Sequence, residues 1–151
     1  MNYIKEAEEI LKYHRDLFES VDKMREEISR LITRQGPSSL NAIALEPTGI
    51  HGGSKQDETY NVLFKIKTLT ESRERTLAKL ESIKVELEEI NQEPGCENYG
   101  TLLRKWYIQG DKKEDIAKML GYSSVQSTYV LKDRAIRKFA IRHFGLNAMN
   151  L

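Results

Sequence analysis

The first third of the chain carries apolar residues at alternating steps of four and three. Within residues 2–34 the repeat runs through Ile10, His14, Leu17, Val21, Met24, Ile28 and Leu31. This spacing is the heptad seam of a coiled coil or a helical hairpin, with a histidine at one seam position. It predicts one long helix that cannot cover its apolar stripe alone.

A second stripe with the same steps follows in residues 57–91. It runs through Val62, Ile66, Leu69, Arg73, Thr76, Leu80, Ile83, Leu87 and Ile90. Asp57 is a candidate N-cap, and Pro94-Gly95 stops the helix. Residues 36–56 between the stripes are rich in Gly and Pro and predict a long loop. Residues 1–92 therefore predict an antiparallel hairpin for assembly or partner contact, completed by a second copy of the chain.

After a linker at residues 93–98, short helical segments separated by tight turns replace the heptads. The predicted helices are 99–109, 112–120 and 125–140, with Gly110 and Gly121 at the turns and Ser123 or Ser124 as the last N-cap. Short helices joined by a glycine turn are typical of a helix-turn-helix. The sequence predicts an all-α protein with a helix-turn-helix domain over residues 99–151.

The helix predicted at residues 125–140 has two distinct faces at 100° per residue. The face expected to be buried holds Thr128, Leu131, Ala135, Ile136 and Phe139. The opposite face holds Gln126, Val130, Asp133 and Arg137, flanked by Ser127 and Arg134. A polar and basic face of this kind can enter the major groove of DNA.

The residue types on this face suit base and phosphate recognition. Gln126 can read adenine, Val130 can contact a thymine methyl group, and arginine can bind guanine or phosphate. The lysines suit phosphate contacts or plain solvated charge. The predicted DNA-binding residues are Ser124, Gln126, Ser127, Val130, Arg134, Arg137, Lys112, Lys113, Lys132 and Lys138.

Charge is distributed unevenly along the chain. Residues 1–98 hold 14 Lys and Arg against 19 Asp and Glu, a net charge of −5, whereas residues 99–151 hold 10 against 4, a net charge of +6. A basic excess on one small domain is the electrostatic signature of a phosphate-backbone binder. The charge pattern thus agrees with the predicted helix-turn-helix, although a solvated basic face has the same composition.

An enzyme is the least favoured class of protein. The sequence has no Ser/His/Asp or Cys/His arrangement, no evident carboxylate pair and no ligand partners for the lone Cys96, so it predicts no cofactor and no metal. The opening residues lack the apolar core of a signal peptide, and no stretch has the length of apolar residues that a membrane span needs. We therefore expect a cytoplasmic protein with no membrane partner.

A resemblance sharpens the expected function. The stretch EDIAKMLGYSSVQSTYVLKDRAIRKF resembles region four of bacterial sigma factors, apart from one extra residue near Ser124 and an acidic Asp133. With its LLRKWYIQGD and SKQD motifs, the whole chain resembles small proteins of Gram-positive prophages and mobile elements, including late-gene transcription regulators of temperate phages. The resemblance implies an activator of phage genes in a bacterial host cell, with double-stranded DNA and RNA polymerase as partners and a homodimer as the expected state.

Two other functions fit parts of the pattern. Small terminase subunits for phage DNA packaging also combine a helix-turn-helix with oligomerising helices, but there the DNA-binding unit usually comes first. A ring of many subunits would favour packaging, and a monomer or dimer would favour regulation. A pure coiled-coil interaction protein would leave the basic residues 99–151 without a role.

Overall fold

The computed structural model describes residues 2–35 and 54–149, and within these ranges it contains helices and turns and no strand. The elements are α1 (Tyr3–Gln35), α2 (Ser54–Gln92), α3 (Tyr99–Leu103) with a π-helical turn at Arg104–Gln109, α4 (Lys113–Met119), α5 (Val125–Phe144) and a 3₁₀ helix at Gly145–Met149. The predicted all-α class is confirmed for this part of the chain. Of the predicted loop 36–56, residues 36–53 lie outside the described residues, and residues 54–56 belong to α2.

The two long helices begin differently. Asn2 caps α1, because its side-chain oxygen accepts hydrogen bonds from the backbone N–H groups of Ile4 and Lys5, both at 3.1 Å. Helix α2 already begins at Ser54, so the prediction of Asp57 as its N-cap is wrong. Asp57 lies in the first turn instead, where a carboxylate complements the positive end of the helix dipole.

The predicted seam of α2 is confirmed in its second half, where Leu80, Ile83, Leu87 and Ile90 are buried. The other predicted positions, Val62, Ile66, Leu69, Arg73 and Thr76, are partly buried. The pattern therefore located the inward face of α2 along its whole length.

The predicted seam of α1 is confirmed at its far end and wrong near its start. Val21 and Leu31 are buried, but Leu17 is 36% exposed and Ile10 is only partly buried. The fully buried residues of the first turns are Ala7 and Leu11. The difference arises because this end of α1 packs against a core built from several helices and not against a single partner helix.

The chain divides into two compact units: Met1–Leu17 with Lys79–Leu151, and Phe18–Ala78. We call them the core unit and the middle unit. The core unit contains one apolar cluster, formed by Ala7, Leu11, Ile83, Leu87, Ile90, Leu102, Leu103, Ile116, Ala135, Ile136, Phe139, Ala140 and Ala148. These boundaries differ from the predicted division at the 93–98 linker. The reason is that the start of α1 and the end of α2 contribute residues to the same apolar cluster as the helices after residue 99.

The middle unit has much less buried apolar surface. Its buried residues among those the structure describes are Val21, Leu31 and Thr59. Lys65 Nζ lies 3.5 Å from a carboxylate oxygen of Glu27, so the two long helices approach each other within this unit.

The junction between α2 and α3 depends on two residues. The side-chain oxygen of Asn91 accepts hydrogen bonds from the N–H groups of Gly100 at 2.8 Å and Thr101 at 3.2 Å, and its amide nitrogen donates to the Thr101 hydroxyl at 3.1 Å. A Cβ atom on Gly100 would lie 2.0 Å from the carbonyl oxygen of Leu87. Asn91 therefore caps α3 from a neighbouring helix, and only glycine permits the close approach.

Within residues 2–35 and 54–149, no helix combines the length and the apolar character needed to cross a membrane.

Candidate nucleic-acid interface

Helices α4 and α5 are joined by the five residues 120–124, a short connection with a left-handed turn. Gly121 has φ +77°, and the next N–H, that of Tyr122, donates to the Ala117 carbonyl at 2.8 Å. Ile116 and Ala117 are buried on α4. This local structure follows from the sequence, because glycine adopts the left-handed turn at low cost and the small Ala117 permits close helix packing.

Ser124, one of the two predicted N-cap residues, occupies the N-cap position of α5 with the extended backbone angles φ −138° and ψ 150°. Its hydroxyl makes no capping hydrogen bond to the helix and instead lies 3.2 Å from the hydroxyl of Ser127. Ser124 is exposed and Ser127 is partly buried. The two hydroxyls therefore form a polar pair at the first turn of α5.

The buried side of α5 matches the predicted one. Thr128, Ala135, Ile136 and Phe139 are buried, and Leu131 is partly buried. The Thr128 hydroxyl donates to the Val125 carbonyl at 2.5 Å, which satisfies this buried polar group. These contacts fix the rotation of α5 about its axis and so determine which side chains face solvent.

The opposite side of α5 faces solvent. Gln126, Val130, Asp133, Arg134 and Arg137 are exposed, Val130 by 54%. We call this set, together with the partly buried Ser127, the α5 outer face. Among the residues that the structure describes, Arg134 and Arg137 make no ion pair. Ser127, Val130 and Arg134 also line a shallow depression of about 250 Å³ that is completed by Tyr122 and Leu131.

The structure does not place Lys132 and Lys138 on this face, although both were predicted as DNA-binding residues. Lys132 Nζ lies 2.9 Å from Asp133 and 3.9 Å from Glu8, and its side chain is 16% exposed. Lys138 pairs with Glu93. Both ammonium groups are thus held by carboxylates, Lys132 by Asp133 and Glu8 and Lys138 by Glu93, and are not brought together with Gln126 and Arg137.

A ladder of ion pairs joins the end of α5 to the last turns of α2 and to Glu93, the residue that follows this helix. Arg142 bonds to Glu93 at 2.5 Å and to Glu89 at 2.7 Å, and His143 Nδ1 lies 2.9 Å from Glu86. The hydrogen bond from Lys138, followed by the charges of Lys138 and Arg142, holds the pKa of Glu93 below its usual range. The sequence pattern does not predict this ladder, because the pairs join residues that are distant in the chain.

The remaining predicted lysines lie on α4. Lys112 is exposed at the N-cap position of α4. Lys113 is partly buried, and its Nζ lies 4.4 Å from the centre of the Trp106 ring. The Tyr129 ring meets Trp106 edge-on, with 4.9 Å between ring centres.

His14 lies at a partly buried position of the core unit. Burial lowers the pKa of His14, the charge of Arg104 lowers it further, and a hydrogen bond with the Leu80 backbone opposes both effects. Its Nδ1 atom is buried without a hydrogen-bond partner among the described residues. The neutral imidazole is therefore the favoured form, which fits a histidine that serves packing.

Groups of acidic, histidine and cysteine side chains able to hold a metal ion are absent from residues 2–35 and 54–149. Cys96 is a partly buried free thiol. Comparison of the chain with protein-family models, with curated proteins and with solved structures finds no match. The α5 outer face and its surroundings are therefore the features of the molecule that bear on its function.

Proposed function

We propose that the protein binds double-stranded DNA as a transcription regulator, with α4 and α5 acting as a helix-turn-helix and the α5 outer face entering the major groove. The observation that carries the proposal is the segregation of positive charge on α5. Lys132, Lys138 and Arg142 pair with carboxylates, whereas Arg134 and Arg137 on the outer face make no ion pair among the described residues.

This segregation bears on function because a cation that is already paired with a carboxylate is less available to bind a phosphate or a base. Guanidinium groups without partners keep their charge and donors for an incoming ligand. The outer face also carries an amide at Gln126, a hydroxyl at Ser127 and an apolar group at Val130. Amide, guanidinium and methyl-contacting groups on one helix face are the set that distinguishes base pairs in the major groove.

The geometry around α5 supports the same proposal. Helix α4 is short and ends in the left-handed turn at Gly121, and the first turn of α5 carries the exposed Ser124 and Gln126. In a helix-turn-helix the N-terminal residues of the second helix reach the bases. The order of a short helix, a glycine turn and a longer helix is compatible with such recognition.

A binding experiment with the full chain tests the proposal. DNA fragments that the protein retains from a bacterial or prophage genome would be measured by fluorescence anisotropy. Arg137→Gln and Gln126→Ala should each weaken specific binding by about 1–3 kcal/mol and leave the helical content unchanged. Arg75→Gln is the matched control, because Arg75 is exposed and lies in the middle unit. Equal affinities of the Arg137 variant and the wild type would contradict the proposal.

The proposed regulator acts as an activator of phage late genes that also contacts RNA polymerase, as the resemblance to region four of sigma factors implies. The test is a reporter gene placed behind a retained promoter fragment. Activation that is lost in Arg137→Gln and retained in Arg75→Gln would support the proposal. Repression of the reporter by the wild-type protein would contradict it.

Self-association as a homodimer completes the proposal. The middle unit leaves large apolar side chains on its surface, including Phe64 at 72% and Phe18 at 58% exposure. A contiguous apolar patch built from groups of this size would be typical of an interaction surface. Sedimentation equilibrium should show a dimer that Phe64→Asp dissociates. A ring of many subunits would favour the DNA-packaging alternative over transcription regulation.

A further inference from the structure

A cluster of aromatic and cationic groups borders the α5 outer face. Trp106 lies in the π-helical turn after α3 and is partly buried. Its ring meets the edge of Tyr129 at an interplanar angle of 85°, and Lys113 Nζ lies above it at 4.4 Å from the ring centre. The cluster thus joins the start of α4, the end of the α3 segment and the first half of α5.

Two lysines approach this ring, and their surroundings differ. Lys132 Nζ lies 5.6 Å from the ring centre and is paired with Asp133 at 2.9 Å and Glu8 at 3.9 Å. Lys113 has no carboxylate partner among the described residues. A cation over an indole ring keeps its full charge while its position is restricted. Lys113 is therefore oriented by the ring and still available to an external anion.

The position of Tyr129 connects the cluster to the outer face. Tyr129 follows Gln126 by three residues, so the two side chains are neighbours on the surface of α5. Tyr129 is 46% exposed, and its hydroxyl has no hydrogen-bond partner among the residues that the structure describes. A phenol donor and the ammonium group of Lys113 therefore lie on one flank of the outer face.

Phosphate is the ligand group that this flank fits. A helix in the major groove has a row of phosphates on each side, and contacts to them set the register of the protein without reading sequence. Lysine binds phosphate as a point charge, and a phenol donates to its oxygens. Lys113 covers one face of the partly buried Trp106 ring, so that face is not open for stacking on a base.

We infer that Lys113 and Tyr129 bind one phosphate of the DNA backbone beside the α5 outer face, with Trp106 as the positioning residue for Lys113. The inference rests on the proposed DNA-binding function and deepens it, since it assigns the groove-edge contact to specific side chains. Lys132 is excluded from the contact, because its charge is taken up by Asp133 and Glu8.

The salt dependence of binding by the full chain tests the contact. Each phosphate neutralised contributes about 0.9 to the slope of log affinity against log salt. Lys113→Gln should lower this slope by about 1 and weaken binding by the same factor for specific and unrelated duplexes. Lys118→Gln removes an equal charge from the same helix, at an exposed site outside the cluster, and should leave the slope unchanged.

The positioning role of Trp106 has its own readout. Trp106→Leu should lower the slope nearly as far as Lys113→Gln, and the double variant should show no further loss. Trp106→Phe keeps an aromatic face and should restore most of the slope, which a purely structural role for the indole would not predict. Because Trp106 is the one tryptophan of the chain, its fluorescence should also change when the wild-type protein binds a duplex.

Three outcomes separate this inference from the proposed function. Failure of the wild-type chain to bind any duplex at low salt would overturn both. Binding with an unchanged slope in Lys113→Gln would overturn the phosphate contact and leave the proposed function standing. Equal slope losses in Lys113→Gln and Lys118→Gln would show that net charge alone acts, and this would also overturn the contact.

Discussion

The core unit and the middle unit are built from the same two long helices, yet they differ in how their apolar residues are used. In the core unit the start of α1 and the end of α2 join α3, α4 and α5 around residues such as Leu11, Leu87 and Phe139, which are almost completely buried. In the middle unit the seam positions of α2, such as Val62 and Ile66, are only partly buried, and Phe64, which lies off the seam, is 72% exposed. One heptad pattern thus produces a closed core where further helices cover it and a partly solvated seam in the other unit.

The difference teaches that a heptad seam specifies a face but not the degree of burial. Two helices remove little apolar surface from water, whereas several helices around one cluster enclose it completely. We therefore expect stability to be concentrated in the core unit. The following predictions test that contrast in order of decreasing effect.

The largest expected effect comes from matched truncations of phenylalanine in the two units. Phe139→Ala removes a fully buried ring and should lower the free energy of unfolding by about 3–5 kcal/mol. Phe64→Ala should change it by less than about 0.5 kcal/mol, because the ring is largely solvated. Urea denaturation at low protein concentration, where association does not contribute, gives both values. Comparable losses from both substitutions would remove the distinction between the units.

A second effect is expected where α3 meets α2. Gly100→Ala places a Cβ atom 2.0 Å from the Leu87 carbonyl oxygen, so the helices must separate at a cost of about 1–3 kcal/mol. Ser82→Ala adds no such contact at an exposed site of α2 and serves as the control. Thermal unfolding followed by circular dichroism would measure the shift. An unchanged melting temperature for Gly100→Ala would show that this junction is not closely packed.

Acidification provides a third test, specific to the core unit. The lowered pKa of His14 means that the unfolded chain binds a proton more readily than the folded one. The free energy of unfolding should therefore fall as the pH drops below 6.5, the ordinary value for histidine. His14→Gln should flatten this part of the profile in urea titrations at several pH values. A slope that persists unchanged in His14→Gln would assign the effect to another group.

The smallest effect is expected from the ladder between α5 and α2. Arg142→Ala removes partly exposed pairs with Glu89 and Glu93 and should cost less than about 1 kcal/mol. The loss should shrink further at high salt, because exposed ion pairs are screened. Arg75→Ala in the middle unit is the matched control. A loss that is large and independent of salt would mean that the ladder is buried.

Much of the fold follows from periodicity, and the exceptions have identifiable causes. All the predicted inward positions of α2 and α5 are buried or partly buried, since each helix keeps one face toward its neighbours. The register at the start of α1 was wrong because Ala7 and Leu11 meet several helices at once. The hydrophobic period of one helix does not indicate how many other helices pack against that helix.

In the candidate site, too, some features could be predicted from the sequence and others could not. Exposure of Gln126 and Arg137 could be predicted, because both lie opposite the apolar stripe of their own helix. Three other contacts could not be predicted. They are the pairing of Lys138 with Glu93, the capping of α3 by Asn91 and the contact of Lys113 with Trp106. Each depends on which residues of other elements lie nearby, and local sequence spacing does not specify that.

The core cluster includes both Ala7 and Ala148, and this has a consequence for synthesis of the protein. A ribosome makes the apolar residues at the start of α1 first, and at about 5–20 residues per second the rest of the cluster follows on the order of 10 s later. Until then these residues have no partners from α5. We expect the core unit to close only after translation has passed α5, a point that protease protection of stalled nascent chains of increasing length would locate.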